Sequence, residues 1–302
     1  MNDELSHEDQ FRLNVLLAQD VKAVRLDEGS LVLHALLGNG EEASMPLHPD
    51  CRADKYLRLA REALSGHALG SPGGYPVYLS RWTRHGQMES ANLGQLLMIG
   101  EPEAVVAVVH SPALTDQLAE YAWWAMPTIE HARLMLMRQA VAKGRMGPVL
   151  TDFLVEHLPF LQEDHLAIMD TVAVLLYAGT LSAEQRDAIW RRGKRQNSYY
   201  VAFLESCPDD LPGADSRAFV DACVEILVRP DTQEVVSRTL NAIGRHFSGH
   251  PEPGDAARAR LAEVGAKLAD PVFSRSTAIG SLMRRKLEPV IAPILADLRS
   301  LA

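Results

Sequence analysis

The pattern of apolar and polar positions changes once along the chain, from short alternating runs to helical periodicity. The alternating runs are VKAVRLD and LVLHALL, between residues 21 and 37, and two glycine-containing turns follow them, at Glu28–Ser30 and at Gly38–Gly40. Glycine adopts the positive φ that tight hairpin turns require. The pattern therefore predicts a three-stranded antiparallel meander over residues 21–48, in which Gly29 and the Gly38–Gly40 turn supply that φ.

Helical patterns flank the meander. Residues 5–18 predict a helix, because apolar side chains at helical spacing follow Ser6, a residue type that caps helix N-termini. Residues 53–67 predict a second helix, which Gly66 or Gly70 can end. A three-stranded sheet with one apolar face needs a cover. We therefore expect the N-terminal helix to pack on the sheet.

A succession of helical segments fills the chain from residue 88 onward, and the last two are predicted at 272–285 and 287–300. Among the earlier segments, Pro102 marks the start of one helix and a capping box from Ser182 to Gln185 marks the start of another. The segments form pairs of about 30–40 residues, which is typical of helical repeats. The predicted fold is mostly α with a small N-terminal antiparallel β-meander, and its α-α helical stack is either a HEAT-like solenoid or an irregular bundle.

The two patterns meet in Leu69–Met88, LGSPGGYPVYLSRWTRHGQM. This stretch matches neither GxGxxG nor GxxxxGK[ST], and it leads into an extended segment, so a phosphate site is not predicted. We interpret it as the joint between an N-terminal domain, residues 1–87, and an all-α domain of helical pairs, residues 88–302. After the glycines, Trp82, Arg84 and His85 predict a cation-rich contact surface.

The composition limits the compartment and the class of partner. The net charge is -9, and such acidity opposes non-specific binding to nucleic acid or anionic lipid. The N-terminus is acidic and polar, and no run of about 18 apolar residues exists to cross a bilayer. The 3 cysteines, at positions 51, 207 and 223, are widely spaced, which favours a reducing compartment. We expect a cytoplasmic protein with no membrane partner.

A second basic and aromatic stretch runs from Trp190 to Tyr200. Its cations stand at the end of a predicted helix, where the helix dipole favours them without any partner. Beside two tyrosines they also predict a surface for an acidic partner. The partner-binding candidates in both basic stretches are Trp82, Arg84, His85, Trp190, Arg191, Arg192, Lys194, Arg195, Tyr199 and Tyr200. The aromatic cluster from Tyr121 to Trp124 is either core packing or a binding hot spot.

The sequence carries no GxSxG, no HExxH and no cysteine–histidine signature, so no catalytic residue and no cofactor are predicted. No metal site is predicted either. His246 and His250 have helical i,i+4 spacing, but we expect Ser248-Gly249 to break the helix between them. Among the thiols, Cys207 at a helix end is the leading reactive candidate and Cys51 the second.

Long parts of the chain resemble the DsrS family, accessory proteins encoded with the reverse dissimilatory sulfite reductase machinery of sulfur-oxidising bacteria. The resemblance runs from about residue 16 to about residue 204. Four strings carry it: SGHALGSPGGYPVYLSRWTRHGQM, LLMIGEPEAVVAVVHSPALTDQLAEYAWWAMP, GPVLTDFLVEHLPF and IWRRGKRQNSYYVAFL. It implies a cytoplasmic protein linked to the oxidation of stored sulfur. The family has no established active site, so the resemblance assigns no catalytic residue.

Three functions follow from these observations. The leading hypothesis is a non-enzymatic accessory, regulatory or scaffolding protein that binds a protein partner of the sulfur-oxidation machinery. The first alternative is a thiol-based sulfur carrier or enzyme that uses Cys207 or Cys51. The second is a nucleic-acid-associated regulator that uses the basic stretches, which the acidity of the chain disfavours.

Overall fold

The structure, a computed structural model, describes residues 5–70, 90–212, 217–250, 252, 255–274 and 280–301. The fold class predicted from the sequence is confirmed: the described residues are mostly helical, and a small three-stranded antiparallel sheet lies near the N-terminus. By its internal packing the chain divides into two compact units, Met1–Leu150 and Thr151–Ala302. The division predicted from the sequence, between residues 87 and 88, falls in a stretch outside the described residues.

The first unit contains the sheet and a series of mostly short helices. Its elements, in chain order, are α1 (His7–Leu17), β1 (Val21–Asp27), β2 (Val32–Leu37), β3 (Glu42–Pro46), α2 (Ala53–Leu69), α3 (Ser90–Leu96), α4 (Pro102–His110), α5 (Asp116–Ala125), α6 (Ile129–Leu136) and α7 (Gln139–Ala142). The next helix, α8 (Met146–His157), begins in this unit and ends in the second.

The second unit is helical throughout its described residues. A 3₁₀ turn, Leu158–Leu161, follows α8, and a second one spans Ala266–Leu268. Its helices are α9 (His165–Ala178), α10 (Ala183–Arg192), α11 (Ser198–Ser206), α12 (Ala218–Val228), α13 (Gln233–Gly249), α14 (Ala256–Ala262), α15 (Asp270–Phe273) and α16 (Gly280–Ser300). Among the described residues, no helix combines the length and the apolarity that a bilayer crossing requires.

The sheet has the order β1-β2-β3 and is antiparallel, as the alternation predicts. Gly40 has a φ of +85°, as expected for the second turn. The prediction for the first turn is wrong: the positive φ, +54°, belongs to Leu31 and not to Gly29. The Asp27 carboxylate accepts hydrogen bonds from the amides of Gly29 and Ser30 and so shapes this turn by itself.

The core of the first unit joins the sheet to α1 and α2. Leu13 of α1, Val24 and Leu33 of the sheet, and Tyr56 and Leu64 of α2 belong to one buried cluster. The N-terminal helix thus packs on the sheet. It begins at Ser6, whose hydroxyl accepts from the Asp9 amide, and α2 ends at Gly70 with a φ of +62°.

The core of the second unit centres on α12, α13 and α16. The prediction of separate helices at 272–285 and 287–300 is wrong, because α16 continues from Gly280 to Ser300 through Pro289 and Pro293. Both prolines are exposed. The opposite face carries a buried stripe at three- and four-residue spacing, which stabilises the continuous helix despite the lost backbone hydrogen bonds. The stripe consists of Met283, Leu287, Ile291, Ile294 and Leu298.

Candidate functional site

An open groove of about 610 Å³ lies in the first unit, between the turn at Gly38–Gly40 and helix α5. The aromatic side chains of Tyr121, Trp123 and Trp124 line it from α5, and Arg145 and Val149 line it from the start of α8. The sequence predicts that this aromatic cluster is either core packing or a binding hot spot. In the structure it is neither fully buried nor part of a flat surface. Its rings form the wall of a groove.

Trp124 is held in place by residues from two strands. Its indole Nε1 donates a hydrogen bond of 2.7 Å to the Glu42 carboxylate on β3. The Arg25 guanidinium of β1 lies 4.8 Å from the centre of the Trp124 ring and 3.6 Å from the same carboxylate. A cation over an indole face and a satisfied indole N–H fix the ring. This wall of the groove is therefore preformed.

Asp116, the first residue of α5, positions the opposite wall. Its two carboxylate oxygens accept hydrogen bonds of 2.9 Å from the amide of Arg145 and 3.0 Å from the amide of Met146. A Cβ at Gly144 would lie only 2.2 Å from the Asp116 carboxyl carbon, so the close approach requires glycine there. The start of α8 is thus bound to the start of α5.

Polar groups at the rim of the groove are paired with one another. Arg145 lies 3.0 Å from the Glu120 carboxylate, and Gln117 donates to the Tyr121 hydroxyl at 2.7 Å. Exposed pairs of this kind are worth little energy and exchange partners easily. With both lining carboxylates, Glu42 and Glu120, engaged by arginines, the groove offers aromatic area and exchangeable hydrogen bonds for binding.

The aromatic residues of the basic stretch Trp190–Tyr200 do not form the exposed surface that the sequence predicts. Tyr199 and Tyr200 are each only 4% exposed, and Tyr200 belongs to the core cluster of the second unit. Trp190 is half-buried, with its ring centre 4.5 Å from that of Tyr200 and 5.2 Å from that of Phe203. Burial raises the pKa of Tyr200 to about 12, with a further contribution from Glu225. These aromatic residues stabilise the fold.

Only some of the cations in the same stretch are exposed and able to contact a partner. Arg191, Lys194 and Arg195 are exposed, whereas the Arg192 guanidinium lies 5.9 Å from the centre of the Tyr199 ring. The predicted contact surface is therefore reduced to three exposed cations. The remaining predicted contact residues, Trp82, Arg84 and His85, lie outside the described residues.

The structure places both thiol candidates in partly buried positions. Burial raises the pKa of the Cys207 thiol, and the Arg186 guanidinium, 3.4 Å from its sulfur, only partly offsets this effect. Cys223 is buried in the core, where desolvation raises its pKa far above the usual range. The Cys51 sulfur lies 3.7 Å from the Arg52 carbonyl oxygen. A raised pKa leaves little thiolate, the nucleophilic form, at Cys207.

Sequence reasoning missed a group of possible metal ligands in the second unit. The helix ends at Gly249, where the sequence predicts a break, and His250 follows as its non-helical C-cap residue. The rings of His246 and His250 nevertheless lie near each other, with their centres 4.9 Å apart. Ligand atoms of these two histidines and of Asp209 all lie within 4.8 Å of one another. Burial lowers the pKa of His246, which keeps its imidazole neutral. Only the i,i+4 spacing was visible in the sequence.

Models of protein families, curated proteins and solved structures were each compared with the chain, and none of them matches it.

Proposed function

We propose that this protein is a non-enzymatic accessory protein of cytoplasmic sulfur oxidation, and that it binds a protein partner through the groove of its first unit. The observation that carries the proposal is the preformed aromatic groove between the Gly38–Gly40 turn and α5. Tryptophan, tyrosine and arginine are the residue types that contribute most to protein–protein binding energy. All three types line this groove.

The rigidity of the groove supports binding in particular. Because Trp124 is already held by Glu42 and Arg25, ordering that ring costs less conformational entropy when a partner docks. Pairs at the rim, such as Arg145 with Glu120, can exchange their internal hydrogen bonds for bonds to a partner. A protein segment with an apolar side chain flanked by polar groups fits this combination of surfaces.

The link to sulfur oxidation rests on the resemblance to the DsrS family. One of the strings that carry it, LLMIGEPEAVVAVVHSPALTDQLAEYAWWAMP, includes the groove residues Tyr121, Trp123 and Trp124. We therefore expect the partner to be a protein of the sulfur-oxidising machinery.

The proposal can be tested by site-specific photocrosslinking. A photoreactive amino acid at Val149, an exposed residue of the groove, should capture a partner from an extract of sulfur-oxidising cells. Mass spectrometry identifies the captured protein, and its purified form is then used for binding titrations. Trp123→Ala should weaken that binding by at least about tenfold, the effect of losing a hot-spot residue.

Phe160→Ala is the matched control, because Phe160 is an aromatic residue that is 78% exposed in the second unit. It should leave the affinity unchanged. Equal loss of affinity in both variants, or no loss in Trp123→Ala, would show that the groove does not bind the partner. A captured partner with no role in sulfur metabolism would refute the link to sulfur oxidation while leaving the binding role intact.

A further inference from the structure

Three side chains with metal-ligand chemistry converge beside the end of helix α13. Nδ1 of His246 lies 3.5 Å from Oδ1 of Asp209, and Nε2 of His250 lies 3.7 Å from the same oxygen. Both contacts are longer than an ordinary hydrogen bond. The three groups therefore lie close together without forming hydrogen bonds to one another.

The backbone of α13 orients His250. Nδ1 of its ring lies 2.9 Å from the carbonyl oxygen of His246, and a carbonyl can only accept, so this nitrogen carries the proton. Nε2 then has a free lone pair, and this is the atom that faces Asp209. A backbone carbonyl that fixes the tautomer of a histidine in this way is a regular feature of metal-binding sites.

His246 is held by aromatic rings. Its imidazole stacks on Phe219 with the ring centres 3.9 Å apart, and the Phe247 ring meets its edge at 5.2 Å. Nδ1 of His246 is buried and makes no hydrogen bond with the described residues. A buried polar atom without a partner is costly, and a bound cation would supply one.

The loop that carries Asp209 is fixed as well. The Asp210 amide donates to the Cys207 carbonyl oxygen at 3.1 Å, and the Asp210 carboxylate lies 2.7 Å from the Arg186 guanidinium of α10. The neighbouring residue Asp209 is 63% exposed, with its carboxylate turned to the two histidines. The His246 ring is therefore held by aromatic side chains, His250 by a backbone carbonyl of α13, and the loop of Asp209 by the contacts of its neighbour Asp210.

We propose that Asp209, His246 and His250 bind a divalent transition-metal ion of the zinc class. Two imidazole nitrogens and one carboxylate oxygen are common protein ligands of zinc. With metal–ligand bonds of about 2.0–2.1 Å, two corners of a coordination tetrahedron are about 3.3 Å apart. The two distances to Asp209, 3.5 and 3.7 Å, need to shorten only slightly to reach that value. The ligand nitrogens of the two histidines lie within 4.8 Å of each other, so the exposed His250 ring moves toward His246 when the ion binds.

The electrostatic surroundings favour a cation at this point. The C-terminus of a helix carries a partial negative charge, and the site lies at the end of α13. Arg258 contributes an opposing positive charge, but its Nε lies 3.0 Å from Glu252 and 3.6 Å from Asp255, which neutralise it. His250 and Asp209 are more than half exposed, so the remaining coordination positions face solvent. This site is independent of the groove proposed for partner binding.

Calorimetric titration of the untagged full chain with zinc ions tests the proposal. The expected result is saturable binding of one ion per chain. His250→Ala and Asp209→Asn change exposed side chains, so they should fold normally, and each should weaken the affinity by at least about tenfold. The control is His110→Ala, which removes an exposed histidine from the first unit and should leave the affinity unchanged. Cobalt absorption spectra report the same site independently.

The absence of saturable binding at one ion per chain would overturn the proposal. An affinity that both His250→Ala and Asp209→Asn leave unchanged would overturn it as well, because the ion would then be bound elsewhere. Neither result bears on the partner-binding function, which is measured on the groove of the first unit.

Discussion

Tyr56 donates a 2.5 Å hydrogen bond from its hydroxyl to the fully buried carboxylate of Asp9. The bond joins α1 to α2, and the His48 amide, just after β3, donates to the same carboxylate at 2.7 Å. A buried charge is tolerated only when it is hydrogen-bonded. This carboxylate therefore connects three elements that surround the sheet.

Tyr56→Phe should destabilise the first unit. The substitution keeps the ring in the core but removes one donor from the buried Asp9 carboxylate, and hydrogen bonds to charged groups contribute about 1.5–3 kcal/mol. Urea unfolding followed by circular dichroism measures the loss. Tyr177→Phe, at an exposed tyrosine of the second unit, is the control and should have no effect. A Tyr56→Phe protein as stable as the wild type would show that the bond contributes nothing.

The same carboxylate should make stability depend on pH in the acid range. Burial by itself raises the pKa of Asp9, but hydrogen bonds from Tyr56 and His48 outweigh it and bring the pKa below the usual 3.8. The unfolded chain then binds the proton more tightly, so this stabilisation is present above the usual value and is lost as the pH falls through the folded pKa.

Thermal unfolding between pH 6 and pH 3 checks this dependence. In Asp9→Asn the midpoint should be lower at pH 6 and should fall less on acidification, because the titrating group is gone. An equally steep fall in both proteins would assign the acid sensitivity to other carboxylates.

The sequence predicts local features of this fold well, because the interactions behind them are local. The capping box from Ser182 to Gln185 is present as predicted, and α4 begins at Pro102, the helix start that this proline predicts. Hairpin turns and helix caps involve residues a few positions apart. The residue patterns of turns and caps can therefore be recognised in a single sequence without any knowledge of tertiary contacts.

The contacts that join α1 to α2 and those that form the groove link residues far apart in the chain. Asp9 and Tyr56 are 47 positions apart, and Trp124 and Glu42 are 82 apart. Nothing in the local pattern of either partner indicates the other. The burial of Tyr199 and Tyr200 was missed for a related reason: the residues that precede them are basic and polar, while the buried cluster that contains Tyr200 includes Phe219 and other residues distant in the chain.

The reactivity of the cysteines should separate partner binding from sulfur carriage. Burial raises the pKa of Cys207, and Cys223 is enclosed in the core, so alkylation near pH 7.5 should be slow at Cys207 and absent at Cys223 until unfolding. Mass spectrometry after timed alkylation measures the order in which the three cysteines react, and the partly exposed Cys51 should react first.

Incubation with a persulfide donor extends the same measurement. The partner-binding proposal expects no stable added sulfur on Cys207 or Cys51. Stoichiometric sulfur on either residue would instead favour the alternative of a thiol-based carrier.

Helix α13 contains two glycines whose substitution by alanine should have different effects on stability. A Cβ at Gly244 would lie 2.0 Å from the backbone oxygen of Val264, a contact that only backbone movement can relieve. On the same face, Asn241 accepts from the Ala266 amide and Ser248 donates to the Ala262 carbonyl, so the facing segment is fixed and cannot yield freely. Gly244→Ala should therefore lower the free energy of unfolding by about 1–3 kcal/mol.

Gly249 is the matched position, in the last turn of the same helix, with open space where a Cβ would be. Alanine has the higher helix propensity, by at most about 1 kcal/mol, so Gly249→Ala should be neutral or stabilising. Chemical denaturation of both variants and the wild type measures the difference in unfolding free energy. Equal stabilities for the two variants would mean that the approach of α13 to Val264 does not require glycine, and that helix propensity alone decides both substitutions.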